Sequence, residues 1–174
     1  MNADPSAVTS SSDYGHDLLF GTFVTPTSHP VHQAVEQAVV ADRAGLDLVT
    51  FQDHPYVARF HDTSTLLAYA AARTERISLG TGVIDLRYEN PLYMAEAAAT
   101  TDLISGGRLE LGVSRGSPEA ALDGQAQFGY ALAEGQTWAD VTRERGRRFL
   151  SAVRGEGIAT PDLTSGWAHS SQPL

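Results

Sequence analysis

The sequence predicts an α/β fold built on a parallel sheet, and three observations carry the prediction. Apolar runs of strand length alternate with apolar stripes at helical spacing, in the order β-α-β-α-β-α-β-α. No two strands are joined by a two-residue hairpin turn, so each return needs a crossover. A polar cluster follows each strand, at the end where a parallel sheet gathers its functional groups. Alternation alone leaves a closed barrel and an open doubly wound sheet both standing. At roughly 31 residues per unit of a complete eightfold barrel, residues 18 to 155 hold about four βα units.

The first strand is Leu18 to Val24, an apolar run between Asp17 and Pro26 that suits a buried parallel strand. Ser28-His29-Pro30 then offers a cap and an early-turn proline to a helix carrying Val31, Ala34, Val35, Ala38 and Val39, which Gly45 ends. Leu46 to Phe51 is the second strand, closing on Gln52-Asp53-His54-Pro55. The second helix runs from Ser64 to Arg73, capped by Thr63 or Ser64, with Leu66, Leu67, Ala70 and Ala71 on its apolar stripe. Ile77 to Ile84 is the third strand, where Gly80 and Gly82 share a face with Ser78; glycines in a strand mark a bulge or a close approach of backbone to ligand. Asn90 caps a third helix that begins at Pro91 and turns Leu92, Ala95, Ala98, Ala99 and Leu103 inward.

Gly106-Gly107 stops that helix, and Arg108 to Val113 forms the fourth strand. Its Leu109, Leu111 and Val113 share one face and Glu110, Gly112 and Ser114 the other, because strand side chains alternate. Pro118 to Gln136 reads as loop, and the fourth helix runs from Thr137 to about Arg154 with Trp138, Val141, Phe149, Leu150 and Val153 near one face. Residues 1–17 read as a flexible leader, 18–159 as the folded domain and 160–174 as a disordered tail.

Composition excludes several functions. Of 174 residues, 42% are hydrophobic and 19% charged, which belongs to a folded chain. A net charge of −9 argues against nucleic acid or an anionic membrane as the main partner. Arg143, Arg145, Arg147 and Arg148 are interleaved with Asp140 and Glu144 and read as a solvated helix face. With no cysteine there is no disulfide, thiolate metal site or cysteine nucleophile, which fits the cytoplasm. No run approaches the ~20 apolar residues of a membrane span.

Candidate site residues are Thr25 after the first strand, Gln52, Asp53 and His54 after the second, Asp85 and Arg87 after the third, and Ser114 and Arg115 after the fourth. His54 is the one that titrates near neutrality without a large shift, and so suits proton transfer or polarisation of a substrate. Asp53 either orients it or contacts another ring; the plainer reading is an Asp cap and a turn at His54-Pro55. Neither His29 with His32 nor Asp53 with His54 has a third ligand at a recognised spacing, so no metal is expected. There is no Walker loop, G-x-G-x-x-G after the first strand, or G-x-S-x-G elbow. For a complete flavodoxin-like domain, TPTSHP after the first strand offers little glycine for a phosphate loop.

LDLVTFQDHPY, LGTGVIDLRYENPLYMAEAAATTDLISGGRLELGVSRGS and FGYALAEGQTWADVTRERGRRFL together resemble the bacterial-luciferase-like flavin-dependent oxidoreductases, over about Leu18 to Ala159. The resemblance implies a (β/α)8 TIM barrel binding reduced FMN, or a deazaflavin in some branches, at the barrel mouth. It implies a non-prolyl cis peptide at Gly82-Val83 under the flavin ring, contacts to ring or phosphate from Ser114, Arg115 and Ser117, and Asp53 with His54 as the catalytic pair beside the reactive face. The cofactor supplies the chemistry, oxygen activation in monooxygenase branches and hydride transfer in deazaflavin ones, and the protein supplies orientation and electrostatics. Asp53-His54 leans to the deazaflavin, whereas VIDLRYENPLYMAE and GVSRGS look more like FMN-type members. A small organic substrate is implied, with a flavin reductase as supplier of reduced cofactor.

Members of that family are typically about twice this long. The expectation is therefore the amino-terminal half of a barrel, with a free edge at its last strand that invites dimerisation. The alternative expectation is a truncated, non-catalytic half-barrel that needs a second half.

Overall fold

The computed structural model describes residues 17–116 and 124–156. The proposed leader (save Asp17), the tail, Ser117 and the start of the 118–136 loop lie outside them. Four parallel strands form one sheet in the order β1-β2-β3-β5: β1 Gly21–Val24, β2 Leu48–Phe51, β3 Ser78–Thr81 and β5 Leu109–Glu110. The parallel sheet and its crossover order are as the alternation predicts.

Two of the predicted strands are each broken in two. After β3 the chain turns through Gly82 and Val83 before β4 (Ile84–Asp85), and after β5 it passes Leu111 and Gly112 before β6 (Val113–Ser114). β4 and β6 pair with each other as a second, two-stranded ladder beyond the first. The breaks are bridged rather than open: the carbonyl of Gly112 accepts from the Ile84 N–H at 2.8 Å and from Thr81 Oγ1 at 2.7 Å.

One face of the sheet is covered by α1 (Gln33–Arg43) and α2 (Thr63–Ala71), which close over Val24, Val49, Phe51, Ile77 and Leu79 with Val35, Ala38, Leu66, Leu67 and Ala70. A smaller cluster of Ile84, Leu86 and Met94, with Leu111 and Phe149, lies under α3 (Pro91–Ser105) and α5 (Trp138–Val153). The opposite face of the sheet, which carries Phe23 and Thr50 beside Gly80 and Gly82, is open; Phe23 is 56% exposed.

Local chemistry explains most boundaries. Asn90 Oδ1 accepts from the N–H groups of Leu92 and Tyr93, with Pro91 in the first turn, and Thr137 forms a reciprocal capping box with Asp140. Gly106, at φ 76°, stops α3 in the left-handed conformation. Other expectations are corrected. α1 starts after His32, which makes no side-chain cap, so Ser28 is not its cap; α2 is capped by Asp62, whose Oδ1 accepts from the Thr65 N–H, rather than by Thr63 or Ser64. Leu18 to Phe20 precede β1 and are exposed, not buried in it. Leu103 is 75% exposed, while Met94, Thr101 and Ser105 face inward, and on α5 Ala152 is buried in place of Leu150. Gly124–Gln127 is a short helix, α4, within the stretch predicted as loop.

Two polar side chains, a half-buried arginine and a buried aspartate, tie crossovers to strands. Arg108 donates to the carbonyls of Ala71, Thr74, Ile77 and Ser105, joining the ends of α2 and α3 to the start of β3. The Asp42 carboxylate accepts from the N–H groups of Glu75, Arg76 and Ile77 at 2.8, 3.2 and 2.9 Å. Burial pushes the Asp42 carboxyl up, but those hydrogen bonds and the Arg76 charge outweigh it and hold it below its ordinary 3.8. A lowered native value means that this stabilisation is complete above 3.8 and lost as pH falls through the native value. Asp42→Ala should therefore cost about 1–3 kcal/mol at neutral pH, read by urea unfolding, and the difference from the parent should shrink in acid.

Candidate functional site

The site is built where β2, β4 and β6 end. β2 places Asp53 and His54 directly after Phe51, and the Asp53 carboxylate reaches across to accept from the Asp85 N–H at 3.3 Å. Asp85 lies opposite Ser114 in the β4–β6 ladder, and the Ser114 carbonyl accepts from the Leu86 N–H at 2.9 Å. Three predicted clusters thus converge at one end of the sheet.

Asp85 and Arg87 form the rigid centre of this end. Arg87 Nε donates to both carboxylate oxygens at 2.9 and 3.0 Å, Nη2 donates at 2.6 Å, and the Arg87 N–H adds a fourth bond at 2.9 Å. Both side chains are buried. Gly116 packs against the pair with φ 73°, and a Cβ there would fall on Asp85 Oδ2 and Arg87 Nη2. Glycine is thus required twice, for its conformation and for its lack of a side chain.

His54 is positioned by its neighbours, not by Asp53. Gln52 Nε2 lies 2.6 Å from His54 Nε2, and Tyr56 Oη lies 2.9 Å from Nδ1. An amide nitrogen can only donate, so this arrangement suits the tautomer in which Nε2 accepts and Nδ1–H donates to Tyr56 Oη. Asp53 instead holds the end of β4 and the start of α2, through Asp85 and Thr63. Burial, with the nearby Asp62 charge, pushes its carboxyl up, against those two hydrogen bonds.

The remaining predicted residues fall as follows. The Gly82–Val83 peptide is cis, the configuration the resemblance implies. A Cβ on Gly82 would meet the exposed Phe23 ring at 2.9 Å, so a side chain there would have to displace that ring from the open face. Ser114 Oγ accepts from the Gly116 N–H at 2.9 Å and keeps its own proton to donate. Arg115 is exposed and makes no hydrogen bond or ion pair among the described residues. Thr25 is left outside this cluster of contacts; its carbonyl accepts from the Thr27 N–H in the turn after β1.

Sequence reasoning missed Tyr56, Tyr88, Glu89 and Arg145. Tyr56 and Tyr88 pack 5.3 Å apart between ring centres with their planes tilted by 42°, and Phe128 meets Tyr88 edge-on. Arg145, read from sequence as part of a solvated face, donates to the carbonyls of Leu86 and Arg87 at 2.8 and 2.9 Å and lies 4.2 Å over Tyr130. It braces the loop from Leu86 to Glu89 from α5. Glu89 is half-buried, and burial, with the charges of Asp53 and Asp62, pushes its carboxyl up to about 7.

A family model for luciferase-like monooxygenases matches residues 14–155. The chain belongs to that family. Among similar proteins, an F420-dependent glucose-6-phosphate dehydrogenase of Kineococcus radiotolerans is 35% identical over 81% of this chain and 40% of its own length. The 4-hydroxyprotoasukamycin monooxygenase of Streptomyces nodosus subsp. asukaensis is 34% identical over 58% of this chain and 29% of its own. The oxygenating constituent of 3,6-diketocamphane monooxygenase from Pseudomonas putida, solved with FMN, superposes with a TM-score of 0.67 at 21% identity, over 80% of this chain and 41% of that one. The fold of this luciferase-like chain is thus the parallel α/β arrangement of the barrel enzymes in its family, and the chain spans less than half the length of these relatives. Among its described residues no helix is long and apolar enough to cross a membrane.

Proposed function

We propose that the luciferase-like chain binds a flavin at the ends of β2, β4 and β6 and contributes this half of the site to a flavin-dependent oxidoreductase. The observation that carries the reading is the convergence of Asp53, Asp85 and Ser114 at one end of the sheet, next in sequence to an Arg115 that is exposed and unpaired among the described residues. The donor set fits the cofactor. Arg115 and the Ser114 hydroxyl suit its phosphate, with Ser117 as a further candidate; Gly82 and Val83 suit its ring; and His54, fixed by Gln52 and Tyr56, holds a proton beside it. Bound there, the flavin would supply oxygen activation or hydride transfer to a small organic substrate. FMN is the first expectation, supported by the FMN complex of the diketocamphane enzyme, and a deazaflavin the alternative, supported by the F420-dependent relatives. A separate flavin reductase fits the monooxygenase reading, since that enzyme is described as an oxygenating constituent. A cytoplasmic setting fits the absence of cysteine.

The open face with the exposed Phe23 favours a second reading, in which the chain is inert until a second half, or a second copy, covers it. Titration of the purified chain with FMN, riboflavin and a deazaflavin, followed by flavin fluorescence, tests the first. A saturable change is expected, weaker for riboflavin, which lacks the phosphate. No change with any of them, restored only on co-expression with a carboxyl-terminal half, establishes the second reading instead.

A further inference from the structure

The ladder of β4 with β6 ends at Asp85 and Ser114. Beyond it the backbone of Leu86 and Arg87 has no neighbouring strand, and its carbonyls need donors from elsewhere. α5 supplies them. Arg145 Nη1 donates to the Leu86 carbonyl at 2.8 Å and to the Arg87 carbonyl at 2.9 Å, so one nitrogen ties two successive carbonyls. Its guanidinium carbon lies 4.2 Å from the centre of the Tyr130 ring, and the Tyr130 N–H is held by the Gln125 carbonyl at 3.0 Å. The helix itself is close: a Cβ on Gly146 would lie 3.6 Å from Leu86 Cδ1. The neighbouring arginines do not share this task, since Arg143 pairs with Asp140 at 3.1 Å and Arg147 and Arg148 are exposed.

The braced backbone leads to the turn after β6 by two routes. The Leu86 N–H donates to the Ser114 carbonyl at 2.9 Å. The Arg87 N–H and guanidinium hold the Asp85 carboxylate, and Gly116 packs so closely on that pair that a Cβ would fall on Asp85 Oδ2. Arg115 thus stands between two residues that are each seated on backbone or side chains of the stretch from Asp85 to Arg87.

We infer that Arg145 is a positioning residue for the flavin phosphate: from α5 it fixes the Leu86 and Arg87 backbone, and through it the Ser114–Gly116 turn in the orientation that presents Arg115. What the turn binds rests on the flavin reading above; that Arg145 fixes the turn does not. A displaced Arg115 keeps part of its attraction for phosphate, so losing Arg145 costs less than losing Arg115 itself.

A double-mutant cycle on the full chain tests this, read by flavin fluorescence and by amide hydrogen exchange. Arg145→Gln should weaken FMN about threefold to tenfold and leave riboflavin unchanged, and in the Arg115→Ala background it should cost less than about twofold, because the cation it positions is gone. Arg148→Gln, which removes an exposed cation from the same helix, should leave FMN affinity within about twofold and controls for net charge. In the free proteins the Leu86 and Gly116 N–H groups, which donate to Ser114, should exchange at least about tenfold faster in Arg145→Gln, whereas the Ile77 N–H, held by Asp42, should not change. Equal weakening of FMN and riboflavin, an undiminished loss in the Arg115→Ala background, or exchange at Leu86 and Gly116 that is unchanged or no faster than at Ile77 overturns the positioning role. If Arg145→Gln does not fold by circular dichroism, Tyr130→Leu, which removes the ring beside the guanidinium, decides: faster exchange at Leu86 and Gly116 with Ile77 unchanged is expected, and no change overturns the role. A parent chain that binds neither FMN nor a deazaflavin overturns the flavin reading, and exchange then decides the positioning role by itself; FMN binding with additive losses overturns the positioning role only.

Discussion

Arg87→Ala is expected to remove about 3–5 kcal/mol of folding free energy, the cost of leaving a buried carboxylate without its partner. Asp85 accepts four bonds from Arg87, both side chains are buried, and Gly116 packs against the pair. Removing the charge from both sides is a gentler change: the double variant Asp85→Asn with Arg87→Gln leaves no isolated ion and should fall between the parent and Arg87→Ala. Urea unfolding followed by circular dichroism gives the order. A loss under about 1 kcal/mol in Arg87→Ala would mean that the pair behaves like an exposed one and that the mouth is wetter than its geometry implies. Loss of the pair also frees the Gly116 turn, so FMN affinity should fall with stability in this variant.

Arg115→Ala separates binding from folding. The side chain is exposed and unpaired among the described residues, so its removal should leave stability within about 0.5 kcal/mol. A charge-assisted contact to phosphate is worth about 1.5–3 kcal/mol, so the FMN dissociation constant should rise about tenfold or more. Riboflavin should be insensitive to the substitution, and the FMN effect should shrink as salt screens the exposed charge. Equal weakening of FMN and riboflavin would place Arg115 on the ring, and no weakening of either would remove it from the site.

The parallel order and the starts of α3 and α5 were legible in the sequence because they follow from local rules. Asn90 and Thr137 cap their helices through residues two or three positions on, and Gly106 stops α3 by its own conformation. The broken strands were not legible. Gly82 and Gly112 mark where the backbone leaves one ladder for another, and the partner that holds the break, Thr81 on Gly112, is 31 residues away. Apolar residues misled where periodicity was taken as burial: Leu103 shares the apolar stripe but projects from α3 into solvent.

The site was legible as a set of strand ends and illegible as a set of contacts. A parallel sheet dictates that Asp53, Asp85 and Ser114 meet at one end, whatever their individual roles. That Asp53 serves the Asp85 N–H and leaves His54 to Gln52 and Tyr56 depends on a contact between residues 32 positions apart, which no local pattern encodes. Tyr88 and Glu89 were passed over inside a loop; their significance comes from Asp53, Asp85 and Arg145, brought from two other elements and their own loop. The arginine run on α5 read as surface because three of its four members are exposed, and the fourth braces the mouth.

The central claim is that flavin sits at the ends of β2, β4 and β6, and amide chemical-shift mapping of the isotope-labelled chain during an FMN titration tests it most directly. The account predicts saturable shifts concentrated at Gly82, Val83, Ser114, Arg115 and Gly116, with His54 responding at the rim. Shifts confined to the groove of about 420 Å³ along the free edge of β1, at Thr22, Phe23 and Val40, would contradict it.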